Sequence, residues 1–117
     1  MDAASNEKAK LAEEIKRLLV KEKRYRDPDF SAKQLAEMMG ISTFKLSRII
    51  RTELGMAYAD LVHTHRIQEA TKLLADKRYT PYMVDDIGKM VGFNNRQSFF
   101  AAFKRLTGTT PERYRRM

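Results

Sequence analysis

Apolar residues recur every three or four positions along most of this chain, and no segment alternates apolar with polar as a half-buried strand does. The pattern predicts an all-α fold of about seven helices. The first spans about Asn6 to Lys23, with Leu11, Ile15, Leu18 and Leu19 as its apolar stripe. Asp27-Pro28-Asp29 closes the linker after it, because proline disfavours helix in the residue before it. A second helix starts at Ser31, where Ser31 and Gln34 match a capping box and Phe30 and Leu35 a hydrophobic staple. It ends at Gly40, which can take a positive φ. A third follows Ser42 as N-cap, faces Leu46, Ile49, Ile50 and Leu54 inward, and stops at Gly55. A longer helix over Tyr58–Asp76 buries Leu61, Val62, Ala70, Leu73 and Leu74, and Lys77–Pro81 reads as a loop. The fifth helix covers about Met83–Val91, with Asp85 and Asp86 as caps in its first turn. Asn94 and Gln97 suggest a capping box for the sixth, whose core face is Phe99, Ala102, Phe103 and Leu106. Thr110-Pro111 opens a short terminal helix over Glu112–Arg116.

The pattern is written twice. LAEMMGISTFKLSRIIRTELG at residues 35–55 corresponds to IGKMVGFNNRQSFFAAFKRLTG at residues 87–108. Leu35, Met38, Met39, Gly40 and Ile41 align with Ile87, Met90, Val91, Gly92 and Phe93. The second copy then gains one residue in its turn, and Leu46, Ile50, Arg51 and Gly55 align with Phe99, Phe103, Lys104 and Gly108. A repeat that keeps both the apolar register and the glycines predicts one supersecondary unit used twice: helix, glycine turn, helix. The expected organisation is residues 1–57 (first helix and first helix-turn-helix), 58–76 (linker helix) and 77–117 (second helix-turn-helix).

Charge changes the picture next. The chain has 117 residues, 23 Lys+Arg against 15 Asp+Glu, and a net charge of +8. Six basic residues and one acid, Glu112, lie between Arg96 and Met117, and Ile41–Thr52 holds Lys45, Arg48 and Arg51 with no acid. The N-terminal residues to Asp29 nearly balance. Net charge alone says little more than solubility. Cations gathered on the second helix of each repeat point to a polyanion partner. There are no cysteines, which excludes disulfides and cysteine-ligated zinc and fits a reducing cytoplasm. No apolar run approaches the length of a membrane span, so no membrane contact is expected from this segment.

In a helix-turn-helix the second helix lies in the major groove and its N-terminal part meets base edges. On the third helix Phe44, Ser47, Arg48 and Arg51 share one face opposite the core stripe, beside Thr43 and Lys45. Arg48 suits guanine O6 and N7, and Phe44 a thymine methyl. On the sixth helix the outward positions are Arg96, Gln97, Phe100, Ala101 and Lys104, with Asn95 just before them. Gln97 suits adenine, and Arg96 guanine or a phosphate. Arg51 and Lys104 close their helices, where a cation favours the negative helix end as readily as a phosphate. Phe100 is either part of an enlarged core or a probe of the groove; partial burial is expected. His63 and His65 are two apart and point to different faces, which is wrong for a ligand pair on a helix. The seven methionines fall mostly at core-register or terminal positions. No phosphate-binding glycine loop, nucleophile elbow or paired-carboxylate site is present. No cofactor and no metal are expected, and the chain is not expected to be an enzyme.

The repeat, RIQEATKLL at Arg66–Leu74, and VGFNNRQSFFAAFKRLTGTTPERYR at Val91–Arg115 together resemble the DNA-binding domain of AraC/XylS-type transcription regulators. The resemblance covers roughly Phe30 to Arg115. It implies a homeodomain-like fold, two helix-turn-helix subdomains on a long linker helix, and a bacterial, cytoplasmic regulator of double-stranded DNA. Recognition helices then enter successive major-groove segments, and a linker of about 27 Å spans most of a DNA repeat of about 34 Å. By position the base readers fall on Phe44, Ser47 and Arg48, and on Arg96, Gln97, Phe100 and Ala101. Two residues depart from the family pattern. Ala101 stands where many members have arginine, which implies less direct readout by the second subdomain. Gly88 stands where alanine is usual, and a helix-interior glycine costs about 1 kcal/mol. The family also implies RNA polymerase as a further partner. Many members carry an effector or dimerisation domain before this one, so the chain is either a stand-alone short regulator or, the reading favoured by MDAASN as an arbitrary start, an excised domain from which that domain is missing. The alternative reading is a basic helical module that binds an acidic protein surface. A small nucleic-acid enzyme lacks any metal or acid/base constellation.

Overall fold

The computed structural model describes residues 3–117 and holds seven α-helices and no strand among them. They are α1 (Ala3–Ile15), α2 (Ala32–Met39), α3 (Thr43–Leu54), α4 (Tyr58–Ala75), α5 (Val84–Met90), α6 (Arg96–Thr107) and α7 (Pro111–Arg116). The chain forms two compact units. The first holds the described residues to Arg24 together with Asp29–Val62; the second holds Tyr25–Pro28 and His63–Met117. The boundary falls inside α4.

In the first unit α3 packs against α1 and α2. Ile15, Leu19, Leu35, Leu46 and Ile50 are fully buried there. The first helix is not regular to Lys23, as its periodicity suggests. After Ile15 it widens into a π-helical turn over Lys16–Lys21, where the Glu22 amide donates to Arg17 O at 3.0 Å. Leu18 and Leu19 of that turn are both buried. The capping box at α2 is formed: the Gln34 amide donates to Ser31 Oγ at 3.2 Å, and the Ser31 amide to Gln34 Oε1 at 2.9 Å. Gly40 and Gly55 end α2 and α3 with φ of 67° and 75°.

In the second unit Ile67, Ala70, Leu74, Ile87, Val91, Phe93, Phe99, Ala102 and Phe103 form one core cluster. Phe99 meets Phe93 at 5.3 Å and Phe103 at 5.7 Å, the latter edge to face, a favourable aromatic geometry. Arg66 of α4 is buried, and its charge is met by main chain: Nε donates to Tyr25 O at 2.6 Å and Nη2 to Asp27 O at 3.2 Å. Its guanidinium also lies 5.4 Å from the Phe93 ring centre. Gly92 has φ 117°, and a Cβ there would collide with Arg66 Nε and with the carbonyl oxygens of Tyr25 and Arg26. The glycine of this turn therefore serves both the backbone angle and the seat of Arg66.

Several elements differ from the sequence expectation. The cap of α6 is Asn95, not Asn94: Asn95 Oδ1 accepts from the Ser98 amide at 2.8 Å. The residue gained in the second turn moves the start by one. Only Asp86 caps α5, by accepting from the Met83 amide at 3.0 Å. Lys77–Tyr79 is a 3-10 turn rather than plain loop, held where Asp76 accepts from the Arg78 amide. Leu106 is 42% exposed, because the last turn of α6 lies outside the core cluster. Met38 and Met83 are exposed as well, so the core register does not account for those methionines.

Gly88 has a packing reason that propensity conceals. It is buried in α5, and an added Cβ would stand 2.5 Å from Phe99 Cδ2. Helix propensity alone predicts that Gly88→Ala stabilises by about 1 kcal/mol. Crowding of a packed aromatic costs about 1–3 kcal/mol. The net expectation is a less stable protein, read as a lower denaturant midpoint at unchanged slope; a raised midpoint would show that Phe99 yields at little cost.

Candidate nucleic-acid interface

Each second helix is held at one rotation about its own axis by its buried stripe. In α3 the stripe is Leu46, Ile49 and Ile50; in α6 it is Phe99, Ala102 and Phe103. Ser42 and Asn95 cap the two N-termini, Ser42 Oγ accepting from the Lys45 amide at 3.0 Å. With 100° per residue, the positions between those stripes must face out.

On α3, Thr43, Phe44, Lys45, Ser47, Arg48 and Arg51 are all exposed, Phe44 at 73%. The Arg48 guanidinium lies 5.8 Å from the Phe44 ring centre, one turn away. The pair forms a cation beside an apolar plate. Most of the Phe44 ring is thus open to solvent. Lys45 turns the other way: its Nζ donates to Glu7 Oε1 of α1 at 2.9 Å. Ala4, Leu11, Phe44 and Ile49 line a shallow, mostly apolar groove of about 340 Å³ between α1 and α3.

On α6, Asn95, Arg96, Gln97 and Lys104 are exposed, as is Ala101, and Phe100 is half-buried. Phe100 packs edge to face on Phe99 at 5.8 Å and carries the Arg96 guanidinium on its face at 4.2 Å. Arg96 Nη1 donates to both Asp85 oxygens, at 2.7 and 2.9 Å, and Nη2 lies 3.6 Å from Glu112 Oε1. Lys104 and Arg105 lie in the last turn of α6. Arg105 Nη2 also stands 3.3 Å from His63 Nδ1.

The two faces are not copies. In the repeat alignment Arg48 falls opposite Ala101, and Arg96 falls opposite Thr43. The second unit has moved its guanidinium from mid-helix to the first helical position. Asp85, Glu112 and Glu7 were outside the sequence-derived site. The partners Asp85 and Arg96 sit eleven residues apart on different helices, and no periodicity joins them. Asp85 is thus a side-chain partner of Arg96, and the pairing of both aspartates as caps needs that correction.

His63 and His65 keep separate company, the first stacked near Phe93 and the second near Tyr25. Burial lowers the His65 pKa. Among the described residues no group of three or more His, Asp or Glu could hold a metal, and no helix is long and apolar enough to cross a membrane.

The hydrogen bond from Lys45 holds the Glu7 carboxyl below its ordinary pKa. A depressed carboxyl contributes stability above the unfolded value and loses it as pH falls through the folded one. Carbon-detected titration of the Glu7 carboxyl should therefore show a lower midpoint in the natural protein than in Lys45→Met. Equal midpoints would mean that the pair does not persist in solution.

Comparison with known proteins places this geometry. The family model described as "Helix-turn-helix domain" matches residues 35–117. An uncharacterized HTH-type transcriptional regulator of Staphylococcus aureus is 38% identical over 87 residues, 74% of this chain and 11% of that protein. The chain thus spans about a tenth of that relative's length. Among solved structures, the C-terminal domain of AraT, a response regulator from Geobacillus stearothermophilus, is 32% identical, covers 80% of this chain and 75% of that one, and has a TM-score of 0.73. A Chromobacterium violaceum transcriptional regulator described as AraC-type shares the fold, with TM-score 0.74, 23% identity and coverage of 98% of this chain and 95% of that one.

Proposed function

The chain belongs to the AraC-type helix-turn-helix family, a family of DNA-binding domains of transcription regulators, and from that premise we propose that it reads specific double-stranded DNA with α3 and α6 in successive major-groove segments. The observation that carries this reading is the exposed face of α3. Phe44, Ser47, Arg48 and Arg51 lie together there, opposite a fully buried stripe, on a capped helix. Arg48 takes guanine O6 and N7 in this reading, Phe44 packs on a neighbouring thymine methyl, and Gln97 pairs with adenine. Thr43, Ser47, Asn95 and Phe100 border those contacts, and Arg51 and Lys104 anchor phosphates. Lys45 joins them after exchanging Glu7 for a phosphate. No step needs a cofactor or bond chemistry. In the full-length regulator, contacts with RNA polymerase and control by a separate effector or dimerisation domain belong to the same proposal.

Selection from a random duplex library at about 150 mM salt tests it. Two half-sites about 10–10.5 base pairs apart are expected. A single half-site would leave one subdomain as the reader; no enrichment would favour a protein partner for the basic faces. Arg48→Ala should cost about 1–3 kcal/mol and relax preference at one base pair; an unchanged logo would remove its role. Lys104→Ala should weaken all sequences alike and flatten the salt slope by about one unit; a loss confined to one base would refute phosphate anchoring.

A further inference from the structure

Arg96 is in an unusual place. It is the first residue of α6, next to the cap, where the positive end of the helix disfavours a cation. Two carboxylates from other first turns compensate it, Asp85 of α5 and Glu112 of α7. Phe100 covers one face of the guanidinium. A fold needing only stability at this point would place an acid or a polar cap there. The first turn of a recognition helix is also where base edges are met.

The contacts on Arg96 are unequal. Nη1 is committed to both oxygens of Asp85, whereas Nη2 has only a loose approach to Glu112 and Nε makes no hydrogen bond among the described residues. An end-on fork through both Nη atoms is thus closed. The side-on edge, Nε with Nη2, remains open and matches the acceptor pair of guanine in the major groove. We propose that Asp85 is a positioning residue for DNA recognition: it holds Arg96 on the Phe100 ring with its side-on edge outward, so that the second helix-turn-helix reads one guanine although Ala101 offers no reading group. The proposal rests on the reading that α6 enters the major groove.

Three features follow. The reading group is pre-set, so less side-chain freedom is lost on binding than for an unpaired arginine. The carboxylate adds a local repulsion toward phosphate, which penalises DNA lacking the matched guanine. The base read by Arg96 lies toward the N-terminal end of α6, not at the mid-helix position that Arg48 occupies in α3.

The test uses the selected operator and every single-base-pair variant of it, with the natural protein, Asp85→Asn, Arg96→Ala and the double variant, at one salt concentration. Circular dichroism and melting confirm that each is folded; Glu112→Gln serves as a second, milder variant. Arg96→Ala should lose about tenfold preference for guanine at one base pair. Asp85→Asn should lose most of that preference at the same base pair while its affinity for DNA without that guanine holds or rises. The double variant should lose no more preference there than Arg96→Ala alone. Glu112→Gln should change that preference less than Asp85→Asn does. If Asp85→Asn raises affinity for all sequences by one factor and leaves preferences intact, Asp85 only repels phosphate and the proposal falls. It falls equally if the two single variants alter different base pairs. Gln97→Ala and Lys104→Ala report on the parent reading. If neither changes binding to any sequence, α6 does not enter the groove and both readings fail. If they do act while Asp85→Asn acts uniformly, the positioning role alone is lost.

Discussion

Each twelve-residue second helix must fill a core with one side and leave the other side open, and that double duty is the constraint on which both units depend. Leu46 and Ile50, and Phe99 and Phe103, are fully buried, so neither helix can rotate without exposing a large apolar side chain. Burying one such side chain contributes about 1.5–3 kcal/mol. A rotation by one residue would forfeit several of these. The orientation of Arg48 or Gln97 is therefore set by residues that never face the solvent. Caps at Ser42 and Asn95 and the glycine exits fix where each helix begins and ends.

The second unit adds a polar constraint to the apolar one. Arg66 is a buried cation, costly unless each donor finds a partner. It finds them in the carbonyls of Tyr25 and Asp27, and the turn at Gly92 is shaped to admit it. Nearby, Glu69 accepts from Tyr25 Oη at 3.0 Å and from Arg26 Nε at 2.8 Å. Burial and the Glu69 carboxylate push the Tyr25 phenol up to about 12. The segment Tyr25–Pro28 thus belongs to the second unit although the residues on either side of it belong to the first.

The two outward faces solve their electrostatics differently. On α3 the cation stands mid-helix against an exposed aromatic ring, and Lys45 is held by a carboxylate of α1. On α6 the cation stands at the helix start, held by Asp85 against a half-buried ring, with Glu112 farther off. A duplicated pattern of apolar residues has kept the scaffold while its polar positions diverged.

Much of this was legible in the order of residues. Periodicity located all seven helices, because burying one side of a helix requires a repeat near 3.6. The caps at Ser31, Ser42 and Thr110 were legible because a cap bonds an amide two or three residues ahead, a local matter. At α6 two adjacent asparagines offered the same local cap, and the cap is Asn95 rather than Asn94. The π-helical turn after Ile15 and the exposure of Leu106 were not legible, since each depends on what packs against the segment. The glycine at 88 looked like a weakness in a helix and proved to be room for Phe99. The exposed face of each second helix could be named from the sequence, but not the partners of Lys45 and Arg96. Local order determined the helices, their turns and the sign of their outer charge, through forces acting within about four residues. Only the tertiary structure decided which carboxylate meets which cation and which glycine admits a ring, because those contacts join residues whose spacing carries no period.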